Sequence, residues 1–141
     1  MKARFGLLAL GLGLAFSGTV RADANALQAH LSCQSAAGPG RVLCELTTKP
    51  SSGKLVWSDA LVVRAPGFAR PLRSRFVAQL GAGGEPTAAW AKLALVASGP
   101  GRGQLELLAR GVICPDPGAG EPCQAVVMPA SAWVEVAQTA P

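Results

Sequence analysis

The chain has 141 residues, half of them hydrophobic, and a formal net charge of +5 at pH 7. This length fits one domain and is too short for two domains of ordinary size. Tyrosine is absent and His30 is the only histidine, so catalysis that depends on a histidine base has a single candidate.

The N-terminus resembles a signal for export. Lys2 and Arg4 precede a mostly apolar run over residues 5–20, which closes on a short segment ending at Ala22. This order of charge, apolar core and small residue is typical of a cleaved secretory signal peptide. The run is too short and too rich in glycine to span a bilayer, which takes about 20 residues. We therefore predict a bacterial Sec-type signal peptide over residues 1–22 and a mature protein in the periplasm or outside the cell.

The mature chain, residues 23–141, is nearly balanced in charge. Three of the 13 basic residues lie in the predicted signal peptide, so ten remain against eight acidic residues. Export and this balance argue against nucleic acid as a partner.

Short apolar segments alternate with turns rich in glycine, proline and serine, which is typical of a sandwich or barrel. In the first segment, Leu27, Leu31 and Cys33 share one phase, and the polar residues occupy the other. The segments 27–33 and 87–97 also have some helical character, but their glycine-flanked context favours strands. We predict a single antiparallel β-sandwich domain over residues 23–141, with seven to nine strands drawn from 27–33, 41–48, 54–64, 73–80, 87–97, 104–114, 123–128 and 132–138.

The four cysteines form an even set in a small exported chain, which predicts two disulfides. Pairing of Cys33 with Cys44 and of Cys114 with Cys123 is favoured because each pair brackets a turn. The alternative joins Cys44 to Cys114. The order Cys44, Trp57, Cys114 resembles that of immunoglobulin domains, in which the bridge crosses the two sheets and the tryptophan packs on it. The resemblance therefore implies an immunoglobulin-like architecture as a variant of the sandwich.

No residue pattern indicates an enzyme, a cofactor or a metal site. His30 falls in the polar phase of the first strand, which indicates a solvated residue. Asp116 and Glu121 lie in the loop between the last two cysteines, where carboxylates can bind calcium. Two carboxylates are few for that ion, and we interpret the loop as an ordinary polar turn.

The densest group of like charges consists of Arg64, Arg70, Arg73 and Arg75, since no acid occurs between residues 59 and 85. Guanidinium groups suit phosphates and other polyanions. Phe68 lies between prolines in the adjacent loop 65–72 and can supply apolar contact. Two structural interpretations compete with binding: the arginines as a solvated sheet face, and the phenylalanine as a cover over the end of the sandwich.

The sequence thus predicts a monomeric, non-enzymatic binding module whose arginines meet an unknown anionic ligand or an envelope protein. A second hypothesis is a structural subunit of an envelope or surface assembly that docks through sheet edges. A third is a secreted hydrolase or hydrolase inhibitor, with the loop 114–123 as the inhibitory segment.

Overall fold

Nine strands make up the fold in the computed structural model, which describes residues 26–81, 87–118 and 120–140. The predicted signal peptide lies outside these residues. Within them, no helix is long and apolar enough to cross a membrane. The strands are β1 (Leu27–Cys33), β2 (Gly40–Pro50), β3 (Lys54–Arg64), β4 (Ala69–Pro71), β5 (Arg75–Val77), β6 (Gln79–Leu80), β7 (Ala89–Ala97), β8 (Gly101–Cys114) and β9 (Gln124–Val136).

The strands pair antiparallel in two sheets. A five-stranded sheet has the order β1-β2-β7-β4, with β6 also pairing with β7, and a four-stranded sheet has the order β5-β3-β8-β9. Between β4 and β5 the chain passes from the five-stranded to the four-stranded sheet, so that Leu72 donates its backbone N–H to Ala94 while Val62 donates to Ser74. It returns to the five-stranded sheet at β6. On the other side of the molecule, Ala36 forms a parallel bridge with Val136.

One apolar core lies between the sheets. Alternate residues of β2 and β7 point into it from one side, and those of β8 and β9 from the other, as the two-residue period of a strand dictates. Thr48 and Ser58 are the polar exceptions in this core, and their buried hydroxyls are 3.2 Å apart. The core is therefore shared by both sheets, with Leu46, Leu93, Leu95, Leu55, Leu105, Leu107 and Val134 among its most buried members.

The predicted all-β sandwich is confirmed, including strands at the two segments with helical character. β1 and β3 have the predicted bounds. The segments 123–128 and 132–138 belong to one continuous strand, β9. The pairing of β9 with β8 runs unbroken through Pro129, which lies opposite Leu108. Residues 69–71, predicted as part of a loop, form β4, because their backbone pairs with the end of β7.

The favoured disulfide pairing is also confirmed. Cys33 bonds to Cys44 and Cys114 bonds to Cys123. The alternative bridge between Cys44 and Cys114 is wrong, because each of these cysteines is bonded to its local partner. The resemblance to immunoglobulin domains fails at the tryptophan as well: Trp57 is 37% exposed on the outer surface of the four-stranded sheet and is not buried between the sheets.

Candidate functional site

The structure divides the four predicted arginines into paired and unpaired residues. Arg64 at the end of β3 forms a salt bridge with Glu106 of β8. Arg75 of β5 donates a hydrogen bond of 2.6 Å from Nε to Asp59 Oδ2. Both carboxylates lie on the outer face of the four-stranded sheet, and they already occupy the two guanidinium groups.

Asp59 is the centre of a charged triad. Its side chain is 0% exposed, although it lies in one cross-strand row with the exposed Val77 and Val127. Arg110 donates to both of its carboxylate oxygens, from Nε at 2.7 Å and from Nη2 at 2.5 Å. The hydrogen bonds from Arg110 lower the pKa of Asp59; burial opposes them, and the hydrogen bond from Arg75 adds to them. Asp59 is therefore an ionised structural group with both of its carboxylate oxygens hydrogen-bonded to arginines.

Arg70 and Arg73 have no carboxylate partner within the described residues. Arg70 lies in β4, opposite Val96 of β7, and Val96 is in turn opposite Arg41 of β2. Since neighbouring strands are about 4.8 Å apart, the Cα atoms of Arg41 and Arg70 are separated by about 10 Å. Both arginines point away from the core, and Arg41 also makes no ion pair in the described part of the chain. We call these two residues, together with Arg73 in the segment between β4 and β5, the basic corner.

Aliphatic side chains accompany the basic corner on the outer face of the five-stranded sheet. Val96 lies between Arg41 and Arg70 in the same cross-strand row and is 45% exposed. In the next cross-strand row, Leu43 and Leu72 flank Ala94, and they are 39% and 59% exposed. The corner therefore presents cationic and apolar groups side by side, which suits an anion that carries apolar parts.

Phe68 is not part of this surface. The ring lies half-buried over the start of β8, against Gly101 and Gly103. This position agrees with the second interpretation from the sequence, in which Phe68 covers the end of the sandwich.

A substitution at Gly101 tests the packing of this ring. A Cβ at Gly101 would lie 2.6 Å from Phe68 Cδ1, so Gly101→Ala forces the ring to move and is expected to lower the free energy of unfolding by about 1–3 kcal/mol. Gly99→Ala is the matched control, since no atom lies within 4 Å of the corresponding Cβ. Urea denaturation measures both. Equal stability of the two variants would contradict the packing described here.

The other sequence-based candidates lie apart from the basic corner. His30 is exposed on β1, opposite Thr47. Asp116 and Glu121 line a cleft of about 610 Å³ beside the turn between β2 and β3. No group of three or more histidine, cysteine or acidic side chains among the described residues is arranged to hold a metal ion.

Sequence reasoning missed Arg41, Val96 and Arg110. Arg41 occupies the outward phase of β2, which is visible in the alternation of residues 41–48. Its proximity to Arg70, however, depends on the register of three strands that are far apart in the chain. Arg110 is likewise brought to Asp59 only by the pairing of β3 with β8.

No protein-family model matches this chain, and no curated protein matches it. The site is therefore interpreted from its own residues.

Proposed function

We propose that this protein is an exported, non-enzymatic binding module that recognises an anionic partner through the basic corner. Of the four arginines predicted from the sequence to bind an anion, only two remain candidates. Arg64 and Arg75 are occupied by Glu106 and Asp59, so ligand pairing falls to Arg70 and Arg73, joined by Arg41. The two disulfides are compatible with an oxidising compartment outside the cytoplasm.

The observation that carries the proposal is the unequal pairing of charges. Six carboxylates occur in the described residues, and four of them, including Glu45 beside Lys92, form ion pairs with basic groups. Among these same described residues, the three guanidinium groups of the basic corner have no such partner. An unpaired guanidinium offers a planar set of donors that matches phosphate or carboxylate groups. Leu72 and Val96 add apolar contact beside these donors.

Charge reversal at the corner tests this function. We expect Arg70→Glu to weaken binding to immobilised inorganic polyphosphate by about tenfold or more, since one charge-assisted contact is worth about 1.5–3 kcal/mol. Lys54→Glu is the control, because Lys54 is exposed at the far end of the sandwich and the substitution changes the net charge equally. Surface plasmon resonance at fixed ionic strength measures both variants. Equal losses would show a general charge effect and contradict a localised site.

The hypothesis of docking through sheet edges has less support. β4, β5 and β6 have three residues or fewer, and strands this short offer few backbone groups for an added strand. On the opposite side, Ala36 and Val136 connect the sheets. These features favour recognition through side chains on a sheet face.

A further inference from the structure

The outer face of the four-stranded sheet is apolar where an exposed sheet face is normally polar. Five large side chains on it are exposed: Trp57 by 37%, Val63 by 58%, Val77 by 69%, Val127 by 56% and Trp133 by 49%. The strand registers place Trp57, Val77, Val127 and Trp133 on the side of the sheet that points away from the core, and Val63 lies in the bulge between Val62 and Arg64. Several large exposed apolar side chains on one sheet face favour an interaction site. We call it the apolar face.

The charged groups of the apolar face are nearly balanced within it, since four arginines accompany three carboxylates and leave a net charge of +1. Each of its carboxylates has an arginine from the same sheet: Asp59 is bound by Arg75 and Arg110, Glu106 by Arg64, and Glu135 by Arg102 at 2.7 Å. A partner therefore needs no opposite charge to dock here. A second copy of the same face meets this condition, because its charged groups are paired in the same way. Two identical faces that carried unpaired like charges would repel each other.

Two arginines also hold the tryptophans of the apolar face in place. The Arg102 guanidinium lies 4.3 Å from the ring centroid of Trp133, and that of Arg110 lies 5.7 Å from the centroid of Trp57. Tryptophan and arginine are the residues that most often dominate binding energy at protein interfaces. Side chains that are ordered before contact lose less entropy when a partner docks.

The size and shape of the apolar face fit a dimer. Neighbouring strands are about 4.8 Å apart and each strand rises about 3.3 Å per residue. With four strands, the longest of which are comparable to the 13 residues of β9, the face has an area of about 600–750 Å². Stable interfaces bury about 800 Å² on each partner. A groove of about 340 Å³, lined by Val63, Leu108 and Pro129 among others, lies midway along the face and offers space for a side chain of the other copy.

We propose that two copies of this protein associate through their apolar faces, sheet against sheet, as two sheets do in a sandwich core. This proposal goes beyond the anion-binding function and does not depend on it. It replaces the sequence-based expectation of a monomer. Arg41 and Arg70 of the basic corner lie on the outer face of the other sheet, so a dimer would present two copies of the corner to a ligand.

Sedimentation velocity on the mature protein, from about 1 to 200 µM, tests the dimer. We expect a monomer–dimer equilibrium in the wild type and a dissociation constant raised at least tenfold by Val127→Glu, which replaces an apolar contact at the interface by a carboxylate that must be desolvated. Val96→Glu is the matched control on the outer face of the five-stranded sheet, and its equilibrium should equal that of the wild type. A wild type that stays monomeric at 200 µM, or a dimer broken by Val96→Glu alone, would overturn the proposal.

A second measurement needs no variant of the apolar face. Dilution of a dimer exposes Trp57 and Trp133 to water, so their fluorescence emission should shift to longer wavelength over the concentration range in which the mass falls. Trp90 lies in the other sheet, and its replacement by phenylalanine should leave this shift unchanged. A shift that disappears in Trp90→Phe would contradict the assigned face.

Discussion

Asp59→Ala is expected to lower the free energy of unfolding by about 2–4 kcal/mol. Asp59 accepts three charge-assisted hydrogen bonds from Arg75 and Arg110, and removal of one partner from a buried charged group leaves the others uncompensated. Both arginines retain contact with water, so the cost should fall short of that for a fully buried pair. Arg75→Ala should cost less, because Arg110 still binds both carboxylate oxygens.

Urea denaturation with Asp59→Asn as a second variant checks this expectation. Asparagine keeps the size of the side chain but removes the charge, so it should be nearly as unstable as alanine. An Asp59→Asn protein as stable as the wild type would contradict the triad as a source of stability.

The same triad predicts a dependence on pH. The arginines lower the pKa of Asp59 in the folded protein below the ordinary value of an aspartate, 3.8. A group of this kind stabilises the fold fully above its unfolded pKa, and its contribution declines as the pH falls through the folded pKa. Between pH 4 and pH 2 the wild type should therefore lose more stability than Asp59→Asn. Parallel losses in thermal melts of both proteins would contradict the assignment.

Removal of the Cys33–Cys44 disulfide is expected to have the second large effect. Replacing both residues by alanine releases a loop with a sequence separation of 11 residues, which costs about 3 kcal/mol in chain entropy. Cys44 is also 1% exposed within the core, so the smaller side chain adds a packing loss. We expect a total of about 3–5 kcal/mol.

The second disulfide supplies the matched comparison. Cys114 and Cys123 close a loop with a separation of nine residues, and both lie outside the buried core. Their double alanine variant should lose about 2–3 kcal/mol. Urea unfolding midpoints of the two double variants under non-reducing conditions make the comparison. A larger loss for the Cys114–Cys123 pair would contradict the placement of Cys44 in the core.

The local parts of this fold could be predicted from sequence because they depend on neighbouring residues. Apolar alternation defined β1, and the turns beside the cysteines indicated the correct bridges. β4 was missed, since three residues between prolines carry no periodic pattern and become a strand only by pairing with β7. The sequence also did not indicate which arginines form ion pairs. Glu106 meets Arg64, and Arg110 meets Asp59, only through the register of β3 with β8.

The apolar face shows the same limit. The segment 54–64 has apolar residues in both phases, which is compatible with a strand covered on both sides. Only the structure separates the two phases, with Leu55 and Ala60 in the core and Trp57 and Val63 outside. The bulges at residues 55–57 and 62–64 shift this phase, and no residue pattern in the segment indicates them.

Binding of anions by the basic corner can be measured by a titration of ¹⁵N-labelled residues 23–141 with inorganic tripolyphosphate, followed by amide chemical shifts. We expect saturable shifts at residues 41, 70 and 73 and at the adjoining end of β7, and their loss in Arg70→Glu but not in Lys54→Glu. Shifts that are absent, or that centre on the apolar face or the cleft at Asp116, would contradict binding at the basic corner.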